Sequence, residues 1–447
     1  MDILAILMSI ITALMSMLQA TVPPGFEGNF GNEDNTVIQE QIKDSDLTPE
    51  QLQEKYHFYY YRDFTDALID VNNEEVGVNA IVKEDNPGIE TLVGVYLNGE
   101  DVTIVALADT CVQGRLYVFK NATINLGGHT IRFENTPTGF DIRNEYGDPE
   151  EVITVNIVGT VDGSTIEIEN DNAAAIANYE YTIANVYGGT YIARSTTYDV
   201  DENYLGTNGR QYQTRVLYCA KDAQMNVYNV NINTNAHCGN AYGIVNQGIL
   251  YVENSKIYAD AQYSDDGVDY IYLSVGIQNS GTSTIKNCNI TGTHSGVSSS
   301  GTLYVDGGSY QSVGHGGIYI SGNGSTSYVQ NAVLKAVEYD GQYEINEETA
   351  NNVGFYVGGA YGNDNLIVYI DNCEFYGTRA PFALRGTSGE QNNTIYISNS
   401  RINTDSAVRI DNDTHTLYLG KGNNFDKNNT TNASRVVSTN DEYHQDF

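Results

Sequence analysis

Apolar and polar residues alternate along most of the chain, and beyond residue 110 the alternation falls into a repeating frame. Ile249-Leu-Tyr-Val-Glu-Asn-Ser-Lys-Ile257, Thr282-Ser-Thr-Ile-Lys-Asn-Cys-Asn-Ile290 and Thr394-Ile-Tyr-Ile-Ser-Asn-Ser-Arg-Ile402 are three copies of one template. Each copy is anchored on an Asn or Gly: Gly128, Gly188, Asn229, Asn254, Asn287, Gly307, Asn331, Asn372 and Asn399. Two positions before the anchors stand Leu126, Val186, Val227, Val252, Ile285, Val305, Val329, Ile370 and Ile397. Three positions after them stand Ile131, Tyr191, Ile232, Ile257, Ile290, Tyr310, Leu334, Phe375 and Ile402. All eighteen flanking positions are apolar or Tyr, which a chain of 40% hydrophobic residues does not produce by chance.

Alternation with period two predicts strands, and Asn or Gly at the anchor supplies the left-handed backbone of a sharp turn. The expected fold class is all-β, a parallel β-solenoid whose inward residues stack rung upon rung. The anchors are 60, 41, 25, 33, 20, 24, 41 and 27 residues apart, and the shorter spacings suit one three-strand coil. The gap of 60 is expected to hold two coils, with Ile157-Val-Gly-Thr160 in the extra one, and Leu417-Tyr-Leu-Gly420 opens a last, slipped coil. About eleven coils at roughly 4.8 Å each would extend about 50 Å. Asn side chains at successive anchors are expected to hydrogen-bond one another as a ladder.

Upstream the pattern changes. Residues 3 to 26 carry no charge, and Ile3 to Val22 is rich in Ile, Leu and Met before Pro23-Pro24 ends any helix. Residues 1–22 form a hydrophobic N-terminal helix in this reading, long enough to span about 30 Å. Asp2, Ser9 and Ser16 recur every seven residues, as do Ala5, Thr12 and Gln19, so one face carries small or polar side chains suited to packing. The segment fits a membrane anchor and a docking helix equally, with Asp2, Ser9, Thr12, Ser16 and Gln19 as the attachment residues. A secretory signal fits less well, because Met1-Asp2 opens the chain without a cationic leader. Residues 23–56 are expected to be an acidic linker whose short helix starts at Thr48-Pro49-Glu50-Gln51. Residues 57–110 combine an aromatic strand, His57 to Arg62, with a helix over 63–72 as a small α+β cap, which an open parallel sheet needs. The solenoid then occupies 111–425 and a C-terminal tail 426–447.

The 57 Asp and Glu against 22 Lys and Arg set a net charge of −35, which repels phosphate backbones and excludes nucleic-acid binding through a basic face. Cys111, Cys219, Cys238, Cys288 and Cys373 are scattered, without a CxxC pair, so they form neither a zinc site nor a disulfide framework. Free, buried thiols are expected, and neither a metal nor a cofactor is called for.

Ala122-Thr-Ile-Asn-Leu-Gly-Gly-His-Thr-Ile131 resembles the opening coil of right-handed parallel β-helix proteins in the pectate-lyase superfamily. Asp63-Phe-Thr-Asp-Ala67 is similar to the amphipathic cap of its phage tailspike members, and Met1-Asp2-Ile3-Leu4-Ala5 resembles short helices that dock phage fibres into virions. The resemblance covers residues 57 to 425 and implies a right-handed β-helix assembled as a homotrimer. The superfamily includes lyases, hydrolases, tailspikes and adhesins, so fold alone does not choose among them.

Polygalacturonase-like members carry an Asp pair, a Gly-His-Gly and an Arg-Ile-Lys, because inverting hydrolysis needs an acid and a base separated by a water. Asp265-Asp266, Gly314-His315-Gly316 and Arg401-Ile402-Asn403 occur here in that order. Arg401-Ile402 belongs to the repeat template, however, Asn403 replaces Lys, and turns account for the glycines around His315. No catalytic residue is assigned. The carboxylates gather instead with Tyr in three long coils: Tyr198, Asp199, Asp201, Tyr204 and Arg210; Asp265, Asp266, Asp269 and Tyr270; and Tyr339, Asp340, Tyr343 and Glu344. Amphipathic Tyr beside acceptor carboxylates suits sugar hydroxyls, and loops on a rigid scaffold commonly carry function. The same segments also fit plain solvated loops on an acidic protein. Three functions follow: a virion spike or fibre recognising a cell-surface polysaccharide, at the virion surface or otherwise extracellular; a membrane-anchored microbial adhesin on the cell surface; or a polysaccharide-degrading enzyme. The partners would be the polysaccharide and either a virion docking protein or a membrane.

Overall fold

The computed structural model describes residues 58–61, 78–86, 89–97, 102–106 and 109–447, except 145–146, 197–211, 237–238, 262–272, 313–315, 323, 337–352, 359–364, 378, 386–391 and 412–413. The expected N-terminal helix, linker helix and cap helix lie outside the described residues.

Three arms make a coil, and in two coils the first and second arms run on as one strand, Thr282–Gly292 and Thr302–Ser312. Ile153–Gly159, Thr165–Glu169 and Ala174–Asn178 are the first, second and third arms of one coil, and Thr182–Gly188, Thr190–Arg194 and Gln213–Cys219 those of the next. Like arms pair in parallel, with Ile157 beside Val186, Ile166 beside Tyr191 and Ile176 beside Leu217. First and second arms share a 23-stranded sheet, and third arms, with the two strands of an N-terminal hairpin, make up a 13-stranded one. The protein is thus an all-β, parallel β-helix-like solenoid. Ile153–Gly159 sits between Ala122–Asn125 and Thr182–Gly188, which is the extra coil expected in the longest anchor gap. Before it, Val78–Asn86 and Ile89–Leu97 form an antiparallel hairpin, and Ile89–Leu97 then joins the third-arm stack beside Arg115–Val118.

The anchors behave as their chemistry requires. Gly128, Gly188 and Gly307 have φ of +84°, +63° and +77°, and the six Asn anchors lie between +49° and +56°. Asn tolerates this region because its short polar side chain can bond locally, whereas a branched residue there is strained. Gly307 is followed by Gly308, where an added Cβ would lie 2.1 Å from the Cys288 carbonyl oxygen of the adjacent rung. Every flanking residue of the template is at most 2% exposed except Ile402, which packs against the same core from partial burial. Each buried Val, Leu or Ile contributes about 1.5–3 kcal/mol, so the inward stack is the main stabilising feature.

The amide ladder lies elsewhere than expected. At the anchors it is short: Asn372 Nδ2 donates to Asn331 Oδ1 at 2.7 Å, and Asn331 Nδ2 to Asp306 Oδ1 at 2.6 Å. The buried ladders are Asn156, Asn185 and Asn226 within first arms, at 2.9 and 2.8 Å, and Asn246 with Asn279 at third-arm ends, at 2.8 Å. Anchor side chains such as Asn254 are exposed and can bond water. A buried amide has only its counterpart one rung away, and the strand ladder holds that counterpart in register.

Cys219, Cys288 and Cys373 are free and buried. Burial pushes each thiol up to about 12 from 9.0, and pushes the Tyr187 phenol up to about 12 from 10.0. Folding favours the neutral forms, so their contribution is complete below the ordinary values and is lost as pH rises toward 12. The urea midpoint is expected to fall steadily above about pH 9, and thiol reagents should reach these three cysteines only after unfolding. A midpoint unchanged through that alkaline range would contradict the assignment.

Candidate functional site

Tyr198, Asp199, Asp201, Tyr204 and Arg210 fall in segment 197–211, Asp265, Asp266, Asp269 and Tyr270 in 262–272, and Tyr339, Asp340, Tyr343 and Glu344 in 337–352. These residues lie outside the described residues, as do His315 and the attachment residues Asp2, Ser9, Thr12, Ser16 and Gln19. The strands on either side of the three segments are described, and they share one topology. Each segment joins a second arm to a third arm: Thr190–Arg194 to Gln213–Cys219, Lys256–Ala261 to Ser274–Asn279, and Val333–Ala336 to Val353–Val357. The second-arm ends stand in register, with Ala236 beside Ala261, Ala259 beside Gly292, Gly292 beside Ser312 and Ser312 beside Ala336. The departure points are two and three rungs apart, about 10 and 14 Å. Segments separated by dozens of residues therefore spring from one corner of the solenoid, next to the small buried cluster Ala236, Ala241 and Ala261.

The third-arm sheet, which begins at that corner, carries arginines and tyrosines on its side away from the core. Tyr117 stands beside Asp141, Asp141 beside Ala177 and Ala177 beside Tyr218 on successive rungs. The Asp141 side chain is fully buried and accepts from Arg115 Nη1 at 3.1 Å and from Arg143 Nη2 at 3.1 Å. Hydrogen bonding to Asp141 raises the pKa of Arg143, whose guanidinium carbon lies 4.3 Å over the Tyr179 ring. Tyr179 meets Tyr218 edge-on at 5.9 Å, and Arg215 lies 4.5 Å over Tyr218. A π-face attracts a guanidinium, and attracts it more strongly where water is excluded.

Arg115 and Arg143 thus share one carboxylate, and Arg215 stands beside them without one. Arg215 has neither a carboxylate nor a side-chain hydrogen bond among the described residues, and its Nε is buried without an acceptor. Burial lowers its pKa, opposed by Tyr218, Tyr179 and Tyr242. A smaller copy of this arrangement stands near the other end of the sheet, where Arg385 and Arg409 share Asp411, Arg385 lies 5.6 Å from the Tyr356 ring and Tyr319 packs on Tyr356 at 5.0 Å. Five of the 12 arginines of a chain with charge −35 are collected in or directly after third arms.

Planar guanidinium and phenol groups of this kind bind sugar hydroxyls or an anionic substituent through hydrogen bonds and stacking, without covalent chemistry. The sequence template missed them because it is anchored on the turn between first and second arms and does not extend to the third. Recurrence of Arg with Tyr two or three positions away, as in Arg115-Leu-Tyr117 and Arg215-Val-Leu-Tyr218, was the available signal. Of the hydrolase-like set, Arg401 and Asn403 both engage Glu374 on the adjacent second arm, and the Arg401 bond lowers the Glu374 pKa. That pairing accounts for them as a cross-rung surface contact. Among the described residues no group of three His, Cys, Asp or Glu is placed to hold a metal ion. No protein-family model matches the chain, and no curated protein or solved structure shows significant similarity to it.

Proposed function

We propose that the chain is a virion spike- or fibre-type structural protein that recognises a cell-surface polysaccharide. In this reading it is a right-handed β-helix of about eleven coils, attached through residues 1–22 and assembled as a homotrimer. One observation carries the reading: three tyrosine- and acid-rich segments depart from one corner of a rigid solenoid, beside a sheet face where the Arg215 guanidinium lies among tyrosine rings with no carboxylate partner among the described residues. Exposed single sites of this kind bind weakly, and three copies recover strength through effective concentration. A membrane-anchored adhesin would use the same face and differ in what its N-terminus enters.

Substituting Tyr198, Tyr270 and Tyr343 together by Ala is expected to reduce binding to a glycan array or host surface at least tenfold, with the circular dichroism of the parent retained. A parent that binds no glycan would defeat the proposal. Release of new reducing ends from a bound polysaccharide would replace it with an enzyme.

A further inference from the structure

Tyr304, Tyr328, Tyr369, Tyr396 and Tyr418 stand in register on successive first arms. Their rings stack at centroid separations of 5.2, 5.1, 4.9 and 4.7 Å, within 12° of parallel. Stacking commits both faces of each inner ring to its neighbours, so the ladder presents ring edges outward. An aromatic edge is the positive part of the quadrupole and favours a tilted aromatic partner, whereas a sugar stacks on an aromatic face.

The end of the chain uses those edges. Beyond strand Val436–Ser438, residues 439–447 run across the first arms from one rung to the next. The Tyr443 ring lies 5.3 Å from Tyr396 at 58°, and the Phe447 ring 5.2 Å from Tyr304 at 52°. Polar contacts descend with them. Tyr443 N donates to Ser398 Oγ at 2.9 Å, His444 Nδ1 meets Asp371 Oδ2 at 3.2 Å, and Gln445 N donates to Gln330 Oε1 at 3.3 Å. Lysines mark the two ends: Lys421 Nζ pairs with Glu442 at 2.8 Å, and Lys286 Nζ donates to the Phe447 main-chain oxygen at 3.1 Å.

The segment is thin and held chiefly by side chains. Its main-chain bonds to the solenoid are at the root, Thr439 N to the Leu419 oxygen at 2.7 Å and Lys421 N to the Asp441 oxygen at 3.0 Å. Beyond Asp441 each main-chain contact among the described residues is to a side chain of the track. Asp441, Glu442, His444, Gln445 and Asp446 are exposed, whereas Gln330, Asp371 and Ser398 beneath are at most 5% exposed.

We propose that the tyrosine ladder is a docking track for an extended peptide bearing aromatic side chains, that residues 439–447 are its resident occupant, and that the same segment of a second copy can replace it. An exchanged strap makes the same contacts as the resident one, so exchange costs only the effective concentration of the tether. The hinge is the root at 439–441, where main-chain bonds give way to side-chain ones.

The test uses a chain truncated after Ser438, a full-length Tyr443→Ser/Phe447→Ser variant that leaves the backbone whole, and a fluorescent synthetic peptide spanning Thr439 to Phe447. In anisotropy titrations both proteins are expected to bind the peptide saturably, and the intact parent at least tenfold more weakly because its track is filled. A peptide with both rings replaced by Ser should bind at least tenfold more weakly than the native one. In sedimentation, the parent should form larger species with rising concentration that both variants lack. Failure of both variants to bind the peptide overturns the track, and binding without the difference in association overturns strap exchange. Neutral oligosaccharides that bind the truncated chain in place of the peptide would assign the ladder to glycans instead.

Discussion

Replacing Ile285 or Ile397 by Asp is expected to destabilise the solenoid by about 4 kcal/mol or more, read as a large drop in the urea midpoint and melting temperature. Both side chains are fully buried, Ile285 between Val252 and Val305 and Ile397 between Ile370 and Leu419 on neighbouring rungs. A carboxylate there meets only hydrocarbon above and below and has no water to solvate it. It must either carry an unpaired buried charge or take up a proton at a cost in free energy. Ile367 is the control, since it lies at the start of strand Ile367–Asp371 and is 39% exposed. Ile367→Asp should stay within about 0.5 kcal/mol of the parent. If the two inward variants melted with the parent, the alternation would have been assigned to the wrong faces.

Asn279→Leu is expected to cost about 3 kcal/mol, although it adds a hydrophobic residue to a buried site. Asn279 Oδ1 accepts from Asn246 Nδ2 at 2.8 Å and from Ser283 Oγ at 2.8 Å, while its Nδ2 donates to Ser299 Oγ at 2.9 Å and to the Thr302 carbonyl at 3.0 Å. Leu supplies none of these bonds and leaves several buried polar groups short of a partner across three rungs. At an anchor the outcome should reverse. Asn254 is exposed at φ +50°, and Gly adopts that conformation freely, so Asn254→Gly should change stability by less than about 1 kcal/mol. Paired denaturation curves check both, and an Asn279→Leu protein as stable as the parent would show the ladder to be dispensable.

These two substitutions mark the line between local and tertiary information. The inward positions and the left-handed anchors were legible in the sequence, because both are properties of residues within about nine positions of one another. A period-two pattern decides which face is buried, and a residue that tolerates positive φ decides where the chain turns. Ile285, Ile397 and all nine anchors follow from that alone. The three tyrosine- and acid-rich segments were also legible, as insertions that lengthen a coil.

What the sequence left open depends on stacking across coils of unequal length. Asn246 and Asn279 are 33 residues apart and Asn185 and Asn226 are 41, so no fixed interval announces that they touch. Arg143, Tyr179, Tyr218 and Arg215 come together because three successive third arms pair in parallel, although those arms lie outside the template that aligns the copies. The ladder from Tyr304 to Tyr418 follows the same rule, since each tyrosine lies one position before an inward residue of its copy and only rung pairing brings the rings to stacking distance. Residues 439–447 have no repeat pattern of their own, and their path is set by the rings and polar groups exposed along that ladder. Short-range periodicity therefore determined the coil, whereas the parallel register between coils decided which side chains share a face, because that register is the sum of every insertion that precedes it.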